Sequence, residues 1–352
     1  MKSLRALLLR VTLVIVALLV PLLAMELVLR AADLFHLKKP APRKDRSSVD
    51  YYSEESRIHP WTGRHRDPLR IAVIGDSVTA GWGVLTDDSY GYRLERLLNL
   101  NDGQRPAEVN VYARGGTCTF TQERFVYEAL RWKPDLILLG ISLNDAEDMR
   151  DMERLKRWRD ETMPRVPPPW LARLLRRSRA CSWVYQNMAD AQAQRGYLRY
   201  YGRLYDKDYS GWKVFEKSIR KFKRLCDEHE VPLVAVIMGG ETKPLFLRIH
   251  RQIQELLDAE RVRYLDLLED FRGMDPTRLH VVPYLDAHPN EIAHRIIAQA
   301  IFEYLLANGL VDPGYAPKRV KHGKDEYWKR IERRMQKPLW EMPAGQVAAP
   351  GS

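Results

Sequence analysis

The chain has 352 residues, of which 45% are hydrophobic and 29% are charged, a balance that excludes disordered and fibrous classes. Its formal net charge of +11 indicates an anionic partner such as a membrane surface, an acidic polymer or a nucleic acid. The three cysteines, Cys118, Cys181 and Cys226, lack CxxC or Cys/His spacing. We therefore expect mostly buried thiols, and neither a disulfide framework nor a zinc site.

The first predicted element is an apolar helix that we expect to anchor the chain in a membrane, over residues 1–30. The segment VTLVIVALLVPLLAMELVL, from Val11 to Leu29, reaches a spanning length when Glu26 lies near the interface. No small-x-small cleavage motif follows it. Basic residues after the segment outnumber those before it, so the positive-inside rule leans against export of the remaining chain. We interpret residues 31–68 as a linker.

Apolar runs alternate with amphipathic segments over residues 69–310, which predicts a parallel sheet with helices on both faces. An Arg- and aromatic-rich segment at about 147–210, after the third strand, predicts a helical insertion. The predicted strands are Arg70–Ile74, Glu108–Ala113, Asp135–Gly140, Pro232–Met238 and Val262–Leu267, and the predicted helices are Tyr90–Leu100, Thr121–Trp132, Trp212–His229, Lys243–Ala259 and Asn290–Ala307.

Two basic regions have several interpretations. The arginines of the insertion, Arg173, Arg176, Arg177 and Arg179, suit lipid headgroups, an acidic glycan or a solvated face. The tail, residues 311–352, interleaves basic and aromatic residues, which suits an interfacial helix, a nucleic-acid patch or a solvated helix.

Polar residues follow three of the predicted strands, at the sheet edge where ligands bind. The first strand ends at Gly75-Asp76-Ser77, where a serine can project towards a substrate and its own N–H can face the substrate oxygen. The second ends at Arg114-Gly115-Gly116-Thr117, where a glycine lets a backbone N–H approach closely. The third is followed by Asn144-Asp145, and the Asn144 amide can donate to the same oxygen. Together these are the parts of an oxyanion hole.

A nucleophilic serine needs a base, and the base needs an orienting carboxylate. The sequence Asp286-Ala287-His288-Pro289-Asn290 supplies both. We expect Asp286 and His288 to reach inward from an irregular turn, and Pro289 suits the first turn of the next helix. Each fragment alone has another reading, since GDS is a common turn, DxH also binds metals and GxxxND also caps helices. The four fragments in this order favour a catalytic site.

These residues resemble the four sequence blocks of the SGNH/GDSL hydrolase family: GDSVTAGWGV, the Gly115-Gly116 turn, GISLND and DAHPN. The resemblance covers roughly Leu69 to Leu310. It implies a flavodoxin-like three-layer α/β/α sandwich and ester chemistry without a cofactor or metal. It also implies Ser77 as the nucleophile, His288 as the base and Asp286 as the residue that orients it.

The resemblance further implies an oxyanion hole formed by the Ser77 amide, the Asn144 side chain and a glycine amide. The second block reads ARGGTCTFTQE rather than G-x-x-G, so either Gly115 or Gly116 can supply that amide, and we favour Gly116. Other polar residues near the motifs are given supporting or structural roles. Asp76 is expected to bond neighbouring backbone, Asp145 to support Asn144 or the turn, His294 to be packed in the last helix, and Cys118 not to be a second nucleophile.

The sequence thus predicts a membrane-anchored serine esterase, either an O-acetyl hydrolase or lipase-like, that acts on an acylated glycan or lipid through an acyl-enzyme. The habits of the family imply a periplasmic or other extracytoplasmic catalytic domain. One alternative is an O-acyltransferase that passes acetyl groups to a polysaccharide hydroxyl beside biosynthetic partners. Another is a membrane-tethered scaffold of the same fold. We expect no nucleic-acid partner, because the basic tail belongs to no recognisable binding module.

Overall fold

The structure, a computed structural model, describes residues 2–35, 57–58, 65–100, 105–163, 167–239, 243–282 and 286–316. The predicted linker at 36–56 and 59–64 and the basic tail from residue 317 lie outside the described residues. The described chain divides into two compact units. We call the helices of residues 2–35 and 150–203 the helical unit, and the remainder the sheet unit.

The helical unit begins with a long apolar helix, α1, at Lys2–Phe35. Its segment Arg10–Ala31 has a mean hydropathy of 2.7 and is long enough to cross a membrane. Large apolar side chains along it are exposed, among them Leu27 at 70%. Membrane anchors and signal sequences share this length and composition. The other helices of this unit are α5 (Met152–Asp160), α6 (Pro169–Arg177) and α7 (Arg179–Leu204).

The sheet unit holds a sheet whose strands occur in the order β1-β3-β2-β4-β5-β6. Strands β2 to β6 are parallel, and β1 pairs with β3 in the antiparallel direction. Counted among themselves, the parallel strands have the 2-1-3-4-5 order of flavodoxin-like folds. The strands are β1 (Arg57–Ile58), β2 (Leu69–Gly75), β3 (Ala107–Ala113), β4 (Leu136–Ile141), β5 (Leu233–Ile237), β6 (Arg263–Asp266), β7 (His280–Val282) and β8 (Asp286–Pro289).

Helices cover the sheet because its strands are apolar on both faces. Every residue of β4 is buried. On one face, Ile71 and Val73 of β2 share a core with the last helix of the unit, which contributes Ile297 and Ile301. The helices of this unit are α2 (Ser77–Ala80), α3 (Tyr90–Leu98), α4 (Thr119–Leu130), α8 (Ser210–Glu228), α9 (Pro244–Ala259) and α10 (Glu291–Ala307).

The sequence prediction of this fold is confirmed. Each of the five predicted strands and five predicted helices is present, with ends within two residues of those expected. The insertion after the third parallel strand is helical. In the sheet unit, the sequence did not predict β1, which lies within the expected linker, the β7–β8 pair or the four-residue helix α2. The packed core continues past the expected boundary at 310, since Val311 and Tyr315 are buried in it.

Candidate active site

Ser77 is the first residue of α2, directly after the carboxyl end of β2. The preceding Asp76 caps α2, because its carboxylate accepts the Val78 N–H at 3.0 Å. Two glycines let α2 fold back against the strands: a Cβ on Gly75 would lie 2.0 Å from Thr79 Oγ1, and one on Gly140 would lie 2.7 Å from the same atom. Because these two glycines lack side chains, α2 can pack against the strands, and this packing sets the position of Ser77.

His288 lies in β8, which pairs with β7 in an antiparallel ribbon. Its Nε2 is 2.9 Å from Ser77 Oγ, a hydrogen bond between residues 211 apart in sequence. The Trp82 ring lies beside the imidazole, with centroids 5.9 Å apart. The structure thus brings together the two residues expected to act as nucleophile and base.

The backbone around His288 differs from the sequence prediction. Residues Asp286–Pro289 form a strand, not an irregular turn. Pro289 is the last residue of this strand, paired with His280, and does not enter the helix. Asn290 begins α10 as its N-cap by accepting the N–H groups of Ile292 and Ala293. Because side chains alternate along a strand, positions 286 and 288 share one face.

The glycines of the second block follow β3. A Cβ on Gly115 would lie 3.5 Å from the Trp82 ring and 3.9 Å from Ser77 Cβ, so Gly115 is a direct neighbour of the nucleophile. Gly116 has φ +69°, in the left-handed region that favours glycine, and a Cβ there would meet nothing within 4 Å. Gly115 is therefore suited to its position because it leaves room beside Ser77. Gly116 is suited to its position because its backbone conformation favours glycine.

The third block forms a buried hydrogen-bond network beneath Ser77. The Asn144 side chain and the Ser142 hydroxyl both donate to the Asp76 carboxylate, the latter at 3.0 Å. Asp145 accepts the Ser142 N–H at 2.7 Å and the Gln122 side-chain amide at 2.9 Å. Asp76 therefore fixes the Asn144 amide, and Asp145 holds the turn that carries it.

Two buried carboxyl groups so close together cannot both ionise freely. Burial raises the pKa of Asp76, although hydrogen bonds from Val78, Ser142 and Asn144 oppose the shift. Burial and then the charge of Asp76 raise the pKa of Asp145 well above its ordinary value. Asp145 is accordingly the member of the pair that retains a proton more readily.

Two other candidates from the sequence, Cys118 and His294, are buried in the core and have the surroundings of packed residues, not of reactive ones. Burial raises the pKa of the Cys118 thiol, which disfavours the thiolate that a nucleophile requires. His294 is fully buried, stacks on Tyr90 and lies with Nδ1 3.2 Å from the Tyr90 N–H. Within the described ranges, no three His, Cys, Asp or Glu side chains form a group that could hold a metal ion.

Sequence reasoning missed four residues of this site: Thr79, Trp82, Gln122 and Ser142. Trp82 had a usable signal, because it stands between two glycines directly after the GDS block, and both have positive φ. Gln122 had none, since its partner Asp145 follows a different strand.

Comparison with known proteins places these features in a family. The family model of the GDSL-like lipases/acylhydrolases matches residues 73–296, well over half of the chain. An acetylxylan esterase of Xylanibacter ruminicola is 32% identical over 85 residues, which are 23% of this chain and only 18% of that protein.

Among solved structures, a catalytic mutant of an acetylxylan esterase from Geobacillus stearothermophilus aligns with 14% identity and a TM-score of 0.41, over 66% of this chain and 92% of that one. A family two carbohydrate esterase from Clostridium thermocellum aligns with 12% identity and a TM-score of 0.41, over 70% and 67%. The family match, which runs from β2 into α10, shows that the chain belongs to the GDSL-like lipase/acylhydrolase family.

Proposed function

We propose that this chain is a membrane-anchored serine esterase in which Ser77 is the nucleophile and His288 the general base. The observation that carries the proposal is the 2.9 Å hydrogen bond from His288 Nε2 to Ser77 Oγ. As Ser77 Oγ attacks the ester carbonyl carbon, Nε2 takes the hydroxyl proton. The tetrahedral intermediate then expels the alcohol, which receives that proton, and leaves an acyl-enzyme. Water activated by His288 releases the acid.

Asp286 is the residue that we propose to orient His288. Support comes from the backbone of β8, where positions 286 and 288 share a face. A carboxylate there would hold the imidazole tautomer that presents a bare Nε2 to the serine and would stabilise the imidazolium formed during attack.

The oxyanion of the intermediate would be bound by the N–H groups of Ser77 and Gly116 and by the Asn144 side chain. A primary amide has two N–H donors. Because one Asn144 donor goes to Asp76, the amide plane is fixed and the second donor is available to substrate. Such a preoriented donor costs no reorganisation during reaction.

The substrate class that we propose is an O-acetylated carbohydrate. The acetylxylan esterase similar to part of this chain supports this class. Trp82, half-buried beside His288 and Gly115, offers an aromatic face at the site. The alternative acceptor is a sugar hydroxyl in place of water, and the assay below separates the two.

Helix α1 is proposed as a retained membrane anchor, with the catalytic residues on the extracytoplasmic side. Its apolar segment exposes Leu23, Leu27 and Val28, as a helix surrounded by lipid does. Fusion of the C-terminus to alkaline phosphatase or to green fluorescent protein would test the side, because the phosphatase folds only after export. An active green fluorescent fusion with an inactive phosphatase fusion would contradict the extracytoplasmic placement.

The catalytic proposal is tested with the full chain in detergent and a fluorophosphonate probe. Wild type should be labelled and should hydrolyse p-nitrophenyl acetate and acetylated xylan. Ser77→Ala should lose both properties, whereas Ser182→Ala in the helical unit should keep them. Labelling that persists in a folded Ser77→Ala variant would overturn the assignment. Acetyl transfer to added oligosaccharide, in competition with hydrolysis, would favour the transferase.

A further inference from the structure

The helical unit contains a polar contact between α1 and the junction of α6 with α7. Glu26 accepts the Ser178 hydroxyl and the Ala180 N–H, each at 2.8 Å. Arg30 donates to the Arg177 carbonyl at 3.1 Å and to Glu26 at 2.6 Å. Glu26 thus satisfies an N–H at the start of α7, and Arg30 satisfies a carbonyl at the end of α6.

This contact lies at one end of the apolar segment, since Glu26 and Arg30 fall within the last turns of Arg10–Ala31. In a membrane-spanning helix, charged side chains near the end of the segment lie at the headgroup level. The contact therefore places the α6–α7 junction at the membrane interface. It also makes α1 part of the folded unit, because removal of α1 would leave these helix ends without their partners.

Helix α6 carries a cationic and aromatic face. Positions 170, 173 and 177 are spaced i, i+3 and i+7, so Trp170, Arg173 and Arg177 lie on one side of the helix. All three are exposed, Trp170 at 69%. Leu171 and Leu175, on another side, are half-buried.

We propose that this face of α6 binds the surface of an anionic bilayer, with Trp170 in the headgroup region and Arg173 and Arg177 on lipid phosphates. The proposal rests on the retained anchor described above. Arg guanidinium groups bind phosphate with paired hydrogen bonds. Trp prefers the membrane interface, where its ring is apolar and its N–H is solvated.

Geometry favours the membrane over other acidic partners. Helix α6 has nine residues, so it is about 13 Å long. Its whole exposed face therefore lies within that distance of the junction that α1 holds at the interface. A helix tethered so close meets lipid headgroups at a far higher effective concentration than any soluble polymer.

The test uses the full chain in nanodiscs of phosphatidylcholine alone or with phosphatidylglycerol, read by hydrogen exchange of the α6 amides. An Arg near an anionic surface contributes roughly fivefold to binding, hence about 25-fold for the two arginines. We expect α6 to exchange more slowly in the anionic discs, up to that factor. Brominated phosphatidylglycerol should quench a Trp fluorescence component that Trp170→Phe removes.

Two charge-reversed double variants, one on α6 and one on α8, provide a matched control. Arg173→Glu/Arg177→Glu should abolish the dependence of α6 exchange on lipid charge. Lys213→Glu/Lys217→Glu, an exposed pair with the same spacing on α8, should leave that dependence intact. Both double variants should retain fluorophosphonate labelling of Ser77, which confirms that they are folded.

Each other outcome overturns a distinct claim. If α6 exchange is the same in both discs while alkaline carbonate fails to extract the chain, the anchor stands and the α6 inference is wrong. If carbonate extracts the chain, the anchor and the inference that rests on it both fail, and the catalytic proposal is untouched. Protection of α6 by soluble acidic polysaccharide but not by anionic lipid would assign the face to a glycan and overturn the proposal.

Discussion

Asp76 and Asp145 are joined through Ser142, which donates its hydroxyl to Asp76 at 3.0 Å and its backbone N–H to Asp145 at 2.7 Å. Both aspartates are buried, with 1% and 2% of the residue surface exposed. Ser142 therefore connects the block that carries the nucleophile to the block that carries Asn144. The two acids differ in their other partners, because Asp76 also accepts from the Asn144 side chain and Asp145 accepts from Gln122.

Ionisation of the Asp145 carboxyl should destabilise the folded chain as the pH rises above the acidic range. Its pKa is raised well above the ordinary 3.8, so the folded chain binds a proton that the unfolded chain has released. Stability should fall as pH rises from about 4 through the folded-state pKa. Asp145→Asn should remove this dependence and raise the unfolding free energy at neutral pH.

The asparagine can be accommodated because Gln122 can turn its amide and accept from it through Oε1, which has no partner among the described residues. Denaturant unfolding of both proteins between pH 4 and 8 would measure the effect. A wild-type curve parallel to that of Asp145→Asn would show that Asp145 is not the protonated member of the pair.

Asp76→Asn should impair catalysis with little loss of fold. The new amide presents an N–H₂ group towards donors that now bond a carboxylate, those of Val78, Ser142 and Asn144. The Asn144 amide would lose its fixed plane, and removal of one oxyanion donor typically costs about 100- to 1000-fold in kcat. We expect kcat on p-nitrophenyl acetate to fall about 10- to 100-fold and KM to change little.

Asp145→Asn is the control for Asp76→Asn, because it makes the same isosteric change at an acid that accepts from Ser142 and Gln122 and not from the Asn144 side chain. It should retain kcat within about threefold, as expected for a residue outside the oxyanion hole. Equal losses of kcat in the two variants would contradict the separate roles of these acids.

The sequence predicted what depends on local pattern and missed what depends on long-range packing. The ends of β2 and β4, at Gly75 and Ile141, were predicted to within one residue because apolar runs stop there. That both Gly75 and Gly140 leave room for Thr79 depends on two strands lying side by side. The strand at Asp286–Pro289 was expected as a turn, because its pairing with His280–Val282 is not encoded in its own four residues.

The two glycines after β3 should respond differently to alanine. Gly115→Ala should leave the melting temperature nearly unchanged, since its contacts of 3.5 and 3.9 Å are ordinary. Its methyl group beside Ser77 should nevertheless lower kcat/KM for bulky esters more than for acetate. Gly116→Ala should cost about 1 kcal/mol of stability, because a residue with Cβ is strained at φ +69°.

Thermal unfolding and a series of p-nitrophenyl esters would measure both glycine effects. Gly309→Ala is the control for Gly116→Ala, since it also has positive φ and no atom within 4 Å of its Cβ position. A Gly116→Ala protein as stable as wild type would show that this turn adjusts its backbone.

Thr79→Ala should rescue Gly140→Ala but not Gly75→Ala. Each glycine variant alone overpacks the α2 contact and should cost about 1 to 3 kcal/mol. For a Cβ at Gly140, the nearest atom is the Thr79 hydroxyl at 2.7 Å, followed by Tyr90 and Met238 at 3.0 and 3.2 Å. A Cβ at Gly75 also meets Thr79 Cβ at 2.7 Å, an atom that alanine retains.

Double-mutant cycles measured by chemical denaturation test this difference. Thr79→Ala itself should cost about 1 kcal/mol, because it removes the hydrogen-bond partner of the buried Tyr90 hydroxyl at 2.9 Å. Even so, the Thr79→Ala/Gly140→Ala double variant should lose about 1 kcal/mol less unfolding free energy than the two single variants lose in sum. The Thr79→Ala/Gly75→Ala double variant should show little coupling. Equal coupling in both cycles would mean that α2 shifts as a rigid body, and fluorophosphonate labelling of Ser77 would then fall in parallel with stability.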